Sequence, residues 1–332
     1  MNIAIYGATG YTGLELIKLL IKHPYFKITH IYSDSFAGKK IEDICPFFKN
    51  RYSHALENTK LNEIDNDIDA AFLCLPHGTT FNLVKNLLSE KKIIIDLSAD
   101  FRFSNAILYE KTYNIKHLLP DILKTRAYGI PEIFKEDILK TNIIANPGCY
   151  PTSIIMPLYP LNKLILDDCV IADSKSGVSG AGKKTTSTTH FCEVNEDFKA
   201  YSVFTHRHSP EINHILSTST EKMGEIIFTP HLLPITRGIE STIYARSDCS
   251  LDNIYNTLCE FYRNCYFVRL YKEEHVSIKN VAYTNFIDIS VFKDGKHLII
   301  LTTIDNLIKG ASGQALQNLN VKAGYEENCG FF

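Results

Sequence analysis

The sequence predicts an α/β first half built on a parallel sheet, then an α+β second half on a mixed or antiparallel sheet. Three observations lead there. Short apolar runs alternate with helix-patterned segments up to about residue 145, a glycine-rich turn joins the first run to the first helix, and after about residue 150 strand-like runs follow one another without a regular helix between each pair.

Residues 2–6 (NIAIY) form the first apolar run, and Leu14, Ile17, Leu20 and Ile21 then recur at helical spacing. A second strand is expected at 28–33 (ITHIYS) and a third at 69–75 (DAAFLCL). A helix with Phe81, Val84, Leu87 and Leu88 on one stripe follows, then strands at 93–97 (IIIDL) and 142–145 (NIIA). Beyond residue 150 the strand candidates are 169–173, 225–229, 239–246, 286–292 and 297–304. The last two are separated by Lys293-Asp294-Gly295-Lys296, a hairpin signal. Residues 305–324 are glycine-punctuated and helical, with Ala315, Leu316 and Leu319 at helical spacing. The stretch 174–189, rich in Ser, Gly, Thr and Lys, reads as a functional loop.

A chain of 332 residues suggests two domains more readily than one. With 45% hydrophobic and 22% charged residues and a formal net charge of -2, it has the balance of a globular protein with neither a nucleic-acid nor a membrane partner. Nine cysteines without CxxC pairs suggest no disulfide framework and no metal site, and favour a reducing, cytoplasmic setting. The first residues already read as a strand, so no signal pattern is expected there.

Gly7-Ala8-Thr9-Gly10-Tyr11-Thr12-Gly13 is a G-x-x-G-x-x-G variant of the dinucleotide fingerprint, set between strand and helix. Glycines let the backbone turn tightly and approach a pyrophosphate, whose charge rests at the helix N-terminus. Asp34 lies where an acid would bond a ribose 2′-hydroxyl, favouring NAD, while Ser33, Ser35, Lys39 and Lys40 around it could hold a 2′-phosphate. The residues alone leave both open. Leu75-Pro76-His77-Gly78, a turn after a strand, is a further candidate to line the cofactor.

The stretch A-N-P-G-C-Y-P-T (145–152) sets a cysteine on a corner. Pro151 suits the first turn of a helix, which places Cys149 at or just before the helix start. Unpaired N–H groups and the positive end of the dipole favour a thiolate there and could cradle an oxyanion. The other eight cysteines read as small buried hydrophobes. For a base, Thr205-His206-Arg207-His208-Ser209-Pro210-Glu211 is the best source. Ser209-Pro210 reads as a helix start, with His206 and His208 on the extended chain before it, pointing to one side, and Glu211 able to orient one of them. The run Gly177–Lys183 approximates a P-loop, but Lys184 stands where Ser or Thr would hold magnesium, and the following TTSTTHF is poor in helix formers. It reads as an anion-friendly glycine loop. Arg102 and Arg237 could clamp a carboxylate or phosphate, or equally pair at the surface.

These segments together resemble the N-acetyl-gamma-glutamyl-phosphate reductase family of arginine biosynthesis. The matching motifs are GATGYTG (7–13), AGK (37–39), LPHG (75–78), DLSADFR (96–102), YGIPEI (128–133), NPGCYPT (146–152), SKSGVSGAGK (174–183), HRHSPEI (206–212), TPHLLPITRGI (229–239) and GASGQALQN (310–318). Departures are mild: Lys183 replaces a common arginine, and Ile130 and Ile133 replace frequent leucines. The resemblance implies an NADP(H)-binding Rossmann-type domain over 1–148 plus 311–332, and an α+β catalytic and oligomerisation domain over 149–310, in a homodimer or homotetramer. It makes Cys149 the nucleophile, with the acid/base in the HRH segment, His208 preferred over His206. It adds Ser176, Gly177 and Gln314 to the cofactor contacts, and Asn146, Lys183, Arg102 and Arg237 to the contacts of a small-molecule acyl phosphate. The chemistry suits the residues, because a cysteine thioester accepts hydride more readily than an acyl phosphate does. The rivals are a sister reductase of aminoadipyl or aspartyl phosphate, and a non-catalytic NADP-binding sensor.

Overall fold

The computed structural model describes residues 1–59, 63–166, 168–184, 186–220 and 223–332. Thr185, read from sequence as part of a run of poor helix formers, lies outside them. The chain divides into two compact units, Met1–Pro147 with Ala311–Phe332, and Gly148–Gly310.

The first unit holds six parallel strands, β1 (Asn2–Tyr6), β2 (Lys27–Tyr32), β3 (Ala70–Leu73), β4 (Ile93–Asp96), β5 (Ala127–Tyr128) and β6 (Ile143–Ala145), in the order β2-β1-β3-β4-β6-β5. Strand β1 shows why the sheet is covered on both faces: Ile3 and Ile5 enter one core, while Ala4 and Tyr6 enter another on the opposite face. Helices α1 (Tyr11–Leu20), α3 (Phe81–Ser89), α4 (Ala106–Tyr113) and α5 (Pro131–Lys140), with the one-turn α2 (Ile41–Ile44), complete this part. Leu16, Ile17 and Leu20 of α1 join the first core, and Leu83, Val84 and Leu87 of α3 join the second. Each such side chain contributes about 1.5–3 kcal/mol by leaving water. Strands β2 and β3 lie on opposite sides of β1, so the strand order reverses beside the glycine turn. At that point a parallel sheet opens a crevice beyond its carboxyl ends.

The second unit is a mixed seven-stranded sheet of β7 (Cys169–Gly177), β8 (Lys199–Ala200), β9 (Glu225–Leu233), β10 (Ile239–Arg246), β11 (Val268–Lys272), β12 (Ile287–Asp294) and β13 (His297–Ile304), ordered β11-β12-β13-β10-β7-β9-β8. The expected hairpin joins β12 to β13: Asp294 faces His297, and Gly295 takes φ +53°. Helix α6 (Cys149–Leu161) packs on β10 and β13, α8 (His208–Ser219) on β9, and α9 (Leu251–Tyr262) on β11 and β12. The one-turn helices α7 (Phe191–Val194) and α10 (Ile278–Val281) lie between these elements in sequence.

Helix α6 is seated by a buried chain of hydroxyls. Ser153 Oγ lies 2.8 Å from Ser241 Oγ, which lies 2.7 Å from Ser174 Oγ, and Thr302 Oγ1 donates to the Ser153 carbonyl at 2.9 Å. These bonds fix the helix, and with it Cys149, on strands β7, β10 and β13. After a single π turn over Ile308–Ser312, helix α11 (Gly313–Lys322) is buried from Gly313 to Val321 within the first unit. Its polar residues are paired there: Asn318 Nδ2 donates to the Gly129 carbonyl at 2.9 Å and to Asn146 Oδ1 at 3.1 Å. Among the described residues, no helix is long and apolar enough to cross a membrane.

Candidate active site

In the second unit, Cys149 is the first residue of α6, and Gly148 is its N-cap with extended backbone angles. Pro151 brings no N–H, so the amides that open this helix are those of Cys149 and Tyr150. Both stand at the positive end of the dipole, beside a half-buried thiol. Two close approaches define the corner. A side chain on Gly148 would put its Cβ 2.5 Å from His208 Nε2, so the imidazole lies directly against the residue before the cysteine. A Cβ on Gly310 would come within 2.7 Å of Cys149 Cβ, so the chain leaving β13 closes the other side.

His208 opens α8, and the preceding Arg207 is already helical (φ -62°, ψ -18°), so the segment is not extended as the sequence suggested. The Ser209-Pro210 pair lies inside the first turn, where proline costs nothing. The two imidazoles still face one another at 4.9 Å, because His206 Nδ1 accepts the His208 backbone N–H at 3.1 Å. That bond leaves the proton of neutral His206 on Nε2. Tyr150, Tyr201 and Phe228 surround this ring at 5.4–5.6 Å. Burial, helped by the Arg207 charge, pushes His206 down to about 4. The unfolded chain therefore binds a proton that the folded one refuses between pH about 6.5 and about 4, and stability falls on acidification through that window. We expect His206→Gln to lose less stability than wild type between pH 7 and pH 5. Urea midpoints at the two pH values check this, and equal losses would contradict it.

Glu211, expected to orient a histidine, is fully buried, and its Oε1 accepts the Gly148 N–H at 3.0 Å. Arg237 sits over the Tyr283 ring, with Nη1 3.4 Å from Asp305 Oδ2. Asp305 in turn accepts the N–H groups of Tyr283, Leu307 and Ile308, and its carbonyl accepts that of Gly310. Ser176 is buried, and Gly177 runs against 236–238, where a Cβ would lie 2.8 Å from the Arg237 nitrogen. Lys183 lies on an exposed loop after the 3₁₀ turn Val178–Ala181. Among the described residues, no helix follows that turn directly, so the P-loop likeness ends there.

In the first unit, Gly7 has φ +78°, and a Cβ on it would fall 2.2 Å from the Cys74 carbonyl oxygen. A Cβ on Gly13 would meet the Gly7 carbonyl at 2.5 Å. Gly10 caps α1, Tyr11 and Thr12 open it, and its first turn carries no acid. An anion is thus unopposed there, which is the fit a pyrophosphate requires. Thr9 Oγ1 and Ser33 Oγ lie 2.8 Å apart, while Ser35 and Lys39 are exposed beyond β2. The Asp34 carboxylate accepts the Thr59 N–H at 2.7 Å. The Leu75–His77 turn is strapped by Ala99 N–H donating to His77 Nδ1 and Gly78 N–H donating to buried Asp100.

The comparisons with known proteins align with these two centres. Residues 2–141 match the family described as semialdehyde dehydrogenase, NAD binding domain, and residues 149–306 the one described as semialdehyde dehydrogenase, dimerisation domain. N-acetyl-gamma-glutamyl-phosphate reductase of Acetivibrio thermocellus is 44% identical over 336 residues, covering 99% of this chain and 97% of its own. The chain belongs to the N-acetyl-gamma-glutamyl-phosphate reductase family. The enzymes of that name from Caldicellulosiruptor saccharolyticus and Methanococcus maripaludis are 46% and 44% identical with the same coverage. In fold the chain is similar to aspartate semialdehyde dehydrogenase with NADP from Candida albicans (TM-score 0.74, 15% identity, 99% of each chain). It is also similar to the Vibrio cholerae aspartate semialdehyde dehydrogenase II (TM-score 0.73, 15% identity, 97% and 98%).

Several expected site residues also make buried hydrogen bonds within the protein. Asn146, expected at the substrate, is buried, its Nδ2 donating to the Ala311 carbonyl and its Oδ1 accepting from Asn318. Arg102 is also buried, with Nε on the Asn146 carbonyl at 2.8 Å and Nη2 on that of Leu97 at 3.0 Å. Both hold the end of β6 in place. Gln314 is fully buried, and its Nε2 donates to the Gly129 carbonyl at 2.9 Å. Cys169 and Cys192 are exposed, against the expectation of burial, whereas burial pushes the Cys74 thiol up to about 12. Tyr150, Tyr201, Asp305 and Gly310 were not singled out from sequence. Only the Asp305-Asn306 pair at a strand end offered a local signal, a turn-forming dipeptide.

Proposed function

We propose that the protein is an NADPH-dependent reductase that converts N-acetyl-gamma-glutamyl phosphate to N-acetylglutamate 5-semialdehyde and phosphate, in arginine biosynthesis. The observation that carries this reading is Cys149 at the opening of α6 with the His208 imidazole against the preceding glycine. The relatives' shared name supplies the substrate.

His208 takes the Cys149 proton and passes it to the departing phosphate, while the sulfur bonds the acyl carbon to give a thioester. When bound, the nicotinamide supplies the hydride that turns this thioester into a thiohemiacetal. The Cys149 and Tyr150 amides hold its oxyanion until collapse frees the aldehyde and returns the thiolate. His206 stays neutral and fixes the His208 backbone, so His208 is the acid/base. Arg237 and Lys183 are the candidates for the phosphate and the α-carboxylate. Arg102 and Asn146 hold the end of β6 within the first unit.

The glycine cradle of Gly7, Gly10 and Gly13 would hold the pyrophosphate, with the Leu75–His77 turn beside it. Ser33, Ser35 and Lys39 are assigned to a 2′-phosphate, since the Asp34 carboxylate is engaged by the Thr59 N–H. The second unit serves as catalytic and oligomerisation domain of a homodimer or homotetramer. Its sheet exposes Ile171 and Tyr244 on the face away from α6, α8 and α9. We place the protein in the cytoplasm, where the Cys149 thiol stays reduced.

The reverse reaction tests the reading. Pure, reduced protein should reduce NADP⁺ with the semialdehyde only when phosphate is present. Absence of that signal from folded protein would favour a sensor without turnover. Faster reaction with the aminoadipate or aspartate semialdehyde would reassign the substrate.

A further inference from the structure

One turn of α8 presents two groups to the same residue. His208 opens the helix and Glu211 follows three positions later, so both leave the same face. The His208 ring lies against Gly148, and the Glu211 carboxylate accepts the Gly148 N–H at 3.0 Å, with no part of Glu211 exposed. Gly148 is the N-cap of the helix that Cys149 opens. The carboxylate therefore ties the peptide at the head of the nucleophile's helix to the helix that carries the base.

We propose that Glu211 is a positioning residue: by holding the Gly148 N–H it sets how the Cys149 thiol meets the His208 imidazole, and it takes no part in proton transfer. This rests on the reductase reading for its consequence in turnover, but not for its geometry. A buried negative charge beside the corner would by itself oppose the thiolate. Its presence there is therefore explained by its hydrogen bond and reach, not by its charge. That separation gives the test.

Glu211→Gln keeps an oxygen acceptor at full length and removes the charge, whereas Glu211→Asp keeps the charge and withdraws the acceptor by one methylene. Two quantities are measured on each full-length variant: kcat and KM for NADPH in the phosphate-dependent assay, and the pH dependence of Cys149 alkylation by iodoacetamide, followed by peptide mass. The expected result is that Glu211→Gln stays close to wild type in both. Glu211→Asp should lose kcat by roughly a hundredfold at unchanged KM for NADPH, with its alkylation midpoint moved to higher pH. If Gln is as impaired as Asp or more so, the charge matters and positioning is refuted. If Asp lowers only the melting temperature and leaves the alkylation midpoint in place, Glu211 is merely structural. Alkylation needs no turnover. A midpoint shift in Asp with an inactive wild type would therefore sink the reductase reading and leave the positioning role standing.

Discussion

Cys149→Ser abolishes turnover: kcat falls by roughly a thousandfold or more, while NADPH binding, read by its fluorescence, stays at the wild-type value. Serine matches cysteine in shape, and the half-buried site at the start of α6 accommodates it without strain. What changes is the nucleophile. A hydroxyl is scarcely ionised at neutral pH, and neither the helix dipole nor His208 lowers its pKa enough to replace a thiolate. The oxyanion donors persist, since they are main-chain amides, so a small residual rate is compatible with the mechanism. Activity within tenfold of wild type would remove the sulfur from the chemistry.

Gly7→Ala is the second large effect, and it acts on the other unit. The residue has φ +78°, and its added Cβ would lie 2.2 Å from the Cys74 carbonyl oxygen, a main-chain atom of the neighbouring strand's exit that cannot swing away. The left-handed backbone costs about 1–2 kcal/mol and the overlap a further 1–3 kcal/mol or so. The urea midpoint should therefore drop clearly, and NADPH affinity should drop with it, because relief of the clash displaces the turn that meets the pyrophosphate. Unchanged stability together with unchanged affinity would mean that the turn tolerates a side chain and is not the cradle described. Gly38→Ala is the control: Gly38 is also left-handed (φ +82°) but has nothing within 4 Å of its added Cβ. It should show the backbone cost alone.

The legible parts of this protein are those encoded by local periodicity. Apolar runs placed β1, β10 and β13 at Asn2–Tyr6, Ile239–Arg246 and His297–Ile304. Strand β11 (VRLYK) escaped because its alternation is blurred by charge, and β5 and β8 because two residues carry no pattern. Helix α6 was legible only at its start, since Pro157 and Pro160 break any helical reading although tertiary packing keeps the helix intact. In the site, the corner cysteine and the paired histidines could be read from turn chemistry. Glu211's partner could not be, because Gly148 lies 63 residues away in sequence and only the fold brings the two together. The same holds for Arg102 and Asn146. Their residue types suit a substrate clamp, and their burial against main-chain carbonyls becomes visible only once β6 and α11 are in place.

The most direct measurement is the intact mass of the protein mixed with N-acetyl-gamma-glutamyl phosphate in the absence of NADPH and quenched in acid. One N-acetylglutamyl group should be gained and localised by peptide mass to Cys149, with release of an equal amount of phosphate. The adduct should disappear when NADPH is added before the quench. Phosphate release with no acyl group on Cys149, or an acyl group carried by any other residue, would contradict a thioester at the head of α6.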